Sequence, residues 1–181
     1  MLWLSNLLYA FTEWLRTTPL VNLALWISDQ PLSQQMGSKF LTIPLLQTVH
    51  ILAIATAFSA VLMTNLRVLG LAGAGQTLAQ TSRRYSPWIW GAFAALVATG
   101  VGLIIAEPVR ELINPIFWIK MGMIAAVILV SIGFQAMLRR DAGRRDQPSG
   151  ATSAARVGAI GLILLWCAVI FAGRWIAYAP T

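Results

Sequence analysis

The sequence predicts an all-α membrane protein: a four-transmembrane-helix bundle preceded by N-terminal amphipathic helices that lie in the interface. Three observations predict it. Only 10% of the 181 residues are charged and 58% are hydrophobic, against about 25% charged in a soluble domain. Four apolar runs reach the ~20 residues needed to cross hydrocarbon. Between alternate runs lie loops rich in arginine, which is a topology signal. The net charge of +7 therefore does not point to nucleic acid.

Residues 1–40 form a segment of their own. Leu4, Leu7, Leu8, Phe11, Trp14 and Leu15 recur at helical spacing, interrupted by Glu13 and Arg16. Met1–Ala10 has no basic residue, so it does not read as a cleaved signal peptide. The expected structure is one or two amphipathic helices along the outer interface, with Trp3, Trp14 and Trp26 at headgroup level. A fifth span through residues 2–27 is the alternative.

Residues 41–181 form the transmembrane domain. The first span is expected over Ile43–Leu66, with Pro44 tolerated in its opening turn. The second is expected over Pro87–Ala106, with Ser86 as N-cap. The third covers Pro115–Met137, with Asn114 as N-cap and Pro115 at the first helical position. The fourth covers Val157–Tyr178. Gly91, Gly100 and Gly102 in the second span, and Gly158, Gly161 and Gly173 in the fourth, would let helices approach closely in lipid. Loop 67–86 carries Arg67, Arg83 and Arg84. Loop 138–156 carries Arg139, Arg140, Arg144, Arg145 and Arg156 against Asp141 and Asp146. The positive-inside rule places both on the cytoplasmic side of a bacterial inner membrane and both termini in the periplasm.

The candidate site comes from depth. His50 is the only histidine, and it lies ~10 Å inside the first span at ~1.5 Å per residue. By the same measure Lys120 lies ~8 Å inside the third span and Arg174 ~6 Å from the end of the fourth. Ionisable groups in a span are costly, about 2.5–3.5 kcal/mol each at its centre on insertion scales. Three at one depth read as a pocket in the outer leaflet. Met123 follows Lys120 by three residues, Gln47 precedes His50 by three, and Tyr178 follows Arg174 by four. Haem b would take His50 as axial ligand, Met123 opposite, and Lys120 and Arg174 on its propionates. Copper(I) would take His50 and Met123. A quinone or another anionic lipid is a further class. The competing structural reading has Lys120 and Arg174 snorkelling to Glu107 or Glu111, and His50 bonded to a backbone carbonyl or to Gln47.

Other chemistries lack their residues. The lone Cys167 supports neither an internal disulfide nor a thiolate cluster. No serine–histidine–acid set, phosphate loop or paired carboxylate appears in the spans. The expected role is a binding subunit rather than an enzyme by itself. Its partners would be the bilayer and other membrane subunits or further copies of the chain. A purely structural accessory subunit is the alternative.

Four segments carry a resemblance: Gln47–Leu52, Leu66–Leu71, Asn114–Lys120 and Ala172–Tyr178. They resemble an uncharacterised bacterial family of small membrane proteins, a domain of unknown function, over roughly residues 40–178. The resemblance implies a four-helix membrane domain and singles out the same histidine, lysine and arginine. A histidine early in a span also distantly resembles the copper-resistance protein D group, which implies copper handling.

Overall fold

A computed structural model describes residues 2–73, 75–140 and 153–175. The order is α1 (Leu2–Thr17), α2 (Leu20–Ser28), α3 (Pro31–Ser38), α4 (Thr42–Val68), α5 (Leu78–Ala106), α6 (Pro108–Leu112), α7 (Pro115–Arg140) and α8 (Ser153–Trp175). The class is all-α, with no strand among the described residues. Four helices are long and apolar enough to cross a membrane: Thr42–Val68, Gln80–Ala106, Pro115–Phe134 and Ser153–Arg174. At most 22% of each apolar window is buried inside the chain. Most apolar side chains on these helices therefore face outward, as suits lipid-facing spans of a multi-pass membrane protein.

The N-terminal region forms three helices rather than one or two. Pro19 separates α1 from α2, and Pro31 opens α3 at its first turn. Proline removes a backbone donor and is tolerated at a helix start, so each proline begins a new helix. None of the three reaches the ~20 residues of a span, and the alternative of a continuous helix through residues 2–27 does not hold.

The second span also starts earlier than the sequence suggested. α5 begins at Leu78, nine residues before Pro87, which lies inside the helix. Its start is a capping box. Thr77 Oγ1 accepts from the Gln80 backbone N–H at 3.2 Å, and Gln80 Oε1 accepts from the Thr77 N–H at 2.9 Å. These reciprocal bonds satisfy two terminal donors, so Ser86 is an interior residue and not the cap. Arg83 and Arg84 are exposed on the first turns of α5 rather than in a loop.

The chain divides into two compact units. The first comprises Met1–Leu52, Ala95–Gly122 and Ile170–Thr181. In it α2 packs chiefly on α6, and also on α1 and α3. Leu15, Ala24, Leu112, Ile113 and Ile116 are buried. Asn114, wholly buried, caps α7 by accepting from the Ile116 N–H at 2.9 Å. Trp118 Nε1 donates to the Leu112 carbonyl at 2.9 Å, tying α7 to α6. Trp3, Trp14 and Trp26 are exposed.

The second unit comprises Ala53–Ala94 and Met123–Val169. One core cluster joins Val68, Phe134, Ala155 and Ala159. Another joins Val127, Leu162 and Val169, with Val61, Met123 and Trp166 against it. α4 ends in a Schellman motif. Leu71 N–H donates to the Leu66 carbonyl at 2.9 Å and Gly70 N–H to the Arg67 carbonyl at 3.1 Å. Gly70 has φ +77°, a conformation that only glycine adopts at no steric cost. Arg67 is buried and folds into the turn, its Nε donating to the Gln76 carbonyl at 2.6 Å. The resembling segment Leu66–Leu71 thus encodes a helix stop.

Candidate functional site

The site lies in the first unit and is built on a helix pair. Leu46 of α4 packs over Gly102 of α5, where a Cβ would meet the leucine Cδ2 at 3.1 Å. One turn along, His50 packs over Gly100, with its Cε1 3.7 Å from where a Cβ would stand. The missing side chain at Gly102 lets α4 and α5 approach closely, and beside it the imidazole reaches across to α5 in ordinary contact with Gly100.

There His50 Nδ1 meets Thr99 Oγ1 at 2.7 Å. Thr99 is buried, and its hydroxyl also lies 2.6 Å from the Ala95 carbonyl. A hydroxyl has one proton. A carbonyl oxygen that close to it requires that proton, so Thr99 donates to Ala95 and accepts from His50. Nδ1 of the ring therefore carries the hydrogen. In the neutral imidazole this leaves Nε2 with a free lone pair. The ring is half-buried and fixed in orientation and tautomer. That is the arrangement in which a histidine ligates a metal or takes a proton through its other nitrogen.

The second member is Lys120 of α7. Its Cε and Nζ lie 3.6 and 3.7 Å from where a Cβ on Gly173 of α8 would stand. Gly173 thus provides the surface over which the lysine extends. The ammonium is near enough to act electrostatically on both His50 and Glu111. Among the described residues no carboxylate lies within 4 Å of it, since the ion pairs there are Arg16–Glu13 at 3.2 Å and Arg110–Glu107 at 2.7 Å. Glu111 of α6 is half-buried. Burial raises its carboxyl above the ordinary carboxylate range, helped by Glu107 and opposed by Lys120 and Arg110.

The structure therefore brings His50 and Lys120 into one electrostatic neighbourhood. Gln47 is half-buried one turn before His50. Arg174 follows Gly173 directly and is exposed. Met123 belongs to the second unit, where it packs against an apolar cluster. Tyr178 lies outside the described residues. No three His, Cys, Asp or Glu groups converge among the described residues as a protein-only metal cage would need.

Sequence reasoning passed over Thr99 and treated Glu111 only as a snorkelling partner. Thr99 lies ~10 Å from the end of its helix at ~1.5 Å per residue, the depth assigned to His50. Its polarity at that depth was the available signal.

Chemically, an oriented imidazole lone pair and an ammonium are the groups that a two-point site would use. Nε2 can accept a proton or a hydrogen bond, or coordinate iron. Lys120 can hold an anionic or carbonyl oxygen. No curated protein and no solved structure matches the chain. One family does match, over residues 32–179, from α3 to beyond the described end of α8. With the match spanning all four helices of membrane-crossing length, the chain belongs to a family of unknown function, DUF6644.

Proposed function

We propose that this protein is a small inner-membrane binding subunit whose His50–Lys120 pair holds a redox cofactor of the haem or quinone class. The observation that carries the reading is the His50–Thr99–Ala95 chain, which commits Nδ1 and leaves Nε2 for the ligand. Haem suits this donor set in two respects. Iron is commonly ligated by Nε2 of a histidine whose other nitrogen is hydrogen-bonded, and Lys120 would meet a propionate. A quinone suits it too, with its carbonyl oxygen on Lys120 and its hydroxyl, when reduced, on Nε2. Copper(I) bound by His50 and Met123 is less well supported, because Met123 packs in an apolar cluster.

The arginine distribution supports an orientation with the α4–α5 turn and the α7–α8 loop cytoplasmic and both termini periplasmic. The site then lies in the outer leaflet, with α1–α3 along the interface. A reporter fused at Thr181 should read out periplasmic; a cytoplasmic readout would move the site to the inner leaflet. The outward-facing apolar surface favours one rival, an accessory subunit packed on a larger membrane complex or on copies of itself.

Absorption spectroscopy and quinone extraction on the chain purified from membranes separate the two. The binding reading expects a Soret band or stoichiometric quinone in the wild type, lost in His50→Ala. A wild-type protein that is colourless and quinone-free would sink it.

A further inference from the structure

Charge is shared unequally between the two units. The described residues of the second unit include six arginines, Arg67, Arg83, Arg84, Arg139, Arg140 and Arg156, and no aspartate or glutamate. The ion pairs among the described residues, Arg16–Glu13 and Arg110–Glu107, both lie in the first unit. Arg67 is buried and bonded into the turn after α4. Arg83, Arg84 and Arg156 are exposed. They belong to one end of the unit. Ser82 and Ser86 share a hollow with Phe134, and Phe134 packs on Ala155. Arg83 and Arg156 therefore adjoin residues that meet around a single ring. α7 runs on from that ring to end on Arg139 and Arg140.

The neighbouring aromatic residues indicate the level of this face. Trp88 and Trp90 follow the two arginines on α5 and are exposed, as suits the headgroup level of a membrane helix. At ~1.5 Å per residue, Arg84 stands ~6 Å along the helix from Trp88, and Arg83 ~10 Å from Trp90. That offset suits phosphates at the membrane surface, about one screening length away in physiological salt. The Arg84 guanidinium lies 6.0 Å from the Tyr85 ring centroid, the outer limit of a cation–π contact. Its planar fork of N–H donors matches phosphate oxygens. A soluble polyanion would be drawn by the same charge, but the tryptophans favour an anion fixed in the plane of the membrane.

We propose that this arginine face binds anionic phospholipid, with Arg83, Arg84 and Arg156 contacting the phosphates of net-negative headgroups. A topology signal requires only that the arginines stay on one side of the membrane. Headgroup binding also requires that they be exposed and have no carboxylate of the same unit beside them, which holds among the described residues. The face is separate from the His50–Lys120 pair and rests neither on its assignment nor on which leaflet holds the arginines.

Native mass spectrometry of the full chain released from detergent tests it, with phosphatidylglycerol and phosphatidylcholine of equal acyl chains as probes. The wild type should bind phosphatidylglycerol more tightly, and added salt should narrow the gap. Arg156→Gln should weaken phosphatidylglycerol binding about fivefold, and Arg83→Gln with Arg84→Gln about 25-fold, leaving phosphatidylcholine unchanged. Arg16→Gln alters an exposed, ion-paired arginine of the first unit and should leave the preference intact. Arg156→Gln keeps the test open should the double variant not fold. Equal affinity of the wild type for both lipids, undiminished phosphatidylglycerol binding in the variants, or an equal loss in Arg16→Gln would each overturn the proposal. So would displacement of phosphatidylglycerol by the same concentration of glycerol phosphate, because a free anion would then suffice.

Discussion

His50 and Asn65 are both polar side chains on α4, and they are held in opposite ways. His50 is held by a neighbour: its Nδ1 reaches Thr99, 49 residues away in sequence. Asn65 is held by its own helix, through the Val61 carbonyl. A bond across helices fixes a side chain's direction and leaves a defined atom, Nε2, for chemistry. A bond back to the helix backbone satisfies the donor and strands the acceptor. The first arrangement leaves a group for a ligand, whereas the second leaves its unmet oxygen buried in the protein. Only the first orients that group through a second helix, which suits it to a directional partner such as iron or a transferable proton.

The largest effect should come from breaking the neighbour-held side. Thr99→Val keeps shape but removes the acceptor for Nδ1. The stranded donor should cost about 1–3 kcal/mol of stability, read as a fall in unfolding temperature in detergent. Losing the partner that orients a ligating histidine should also lower affinity for an Nε2 ligand by about 10–100-fold. A stability loss with unchanged cofactor occupancy would reduce Thr99 to a packing residue.

The glycine seats allow a second comparison, between a crowded seat and the open seats at the His50–Lys120 pair. In the second unit a Cβ on Gly158 would meet Phe134 Cδ2 and Cε2 at 3.1 Å. That ring is buried among Val68, Ala155 and Ala159 and has little room to move. Gly158→Ala should cost about 1–3 kcal/mol by overpacking. In the first unit Gly102 is equally tight, at 3.1 Å from Leu46 Cδ2, but Cβ atoms on Gly100 and Gly173 would stand 3.7 and 3.6 Å from their nearest neighbours, which is ordinary contact. Gly100→Ala and Gly173→Ala should change stability by less than ~1 kcal/mol, near the intrinsic Gly-to-Ala difference in a helix. Equal losses at Gly158 and Gly173 in thermal unfolding would erase the distinction.

The sequence made the spans legible because their length and hydropathy are set by the bilayer, not by packing detail. It misplaced the start of α5 because Pro87 was read as a helix opening. The Thr77–Gln80 capping box was there to be read, but it stands outside the apolar run. Depth was legible too, and it put His50 and Lys120 in one layer as an expectation. Facing was not. In a soluble protein, polarity marks the face that looks outward; in lipid both faces are apolar. Small residues then become ambiguous. Gly100, Gly158 and Gly173 sit against neighbours, while added Cβ atoms on Gly91 and Gly161 would meet nothing within 4 Å. For the same reason depth says nothing of facing at Met123, which packs against the second unit's apolar cluster, or at Arg174, which is exposed.

The smallest effect expected is one of pH, and it tests the electrostatics around Lys120 without touching His50 or Thr99. Glu111 lies outside the spans, and burial raises its carboxyl above the ordinary value of 4.5, with Glu107 adding to the rise and Lys120 and Arg110 opposing it. A carboxyl raised in the folded state holds its proton there after the unfolded chain has lost it. Below about 4.5 the two states bind equally many protons at this group and it contributes no pH dependence. Above that, the folded state binds more, so stability falls as pH rises until the folded carboxyl ionises, and is level beyond. Glu111→Gln removes this decline. The variant should match the wild type in acid and unfold at a higher temperature near neutrality. The gain is limited by the lost attraction to Lys120 and Arg110. Unfolding temperatures in detergent, followed from acid to neutral pH, measure the difference directly. A variant that is less stable at neutral pH and equal in acid would mean that attraction to Lys120 and Arg110 outweighs burial. Glu111 would then be the anionic counterpart of the ammonium in the ligand-free protein, and a ligand carboxylate or carbonyl would have to displace it to reach Lys120.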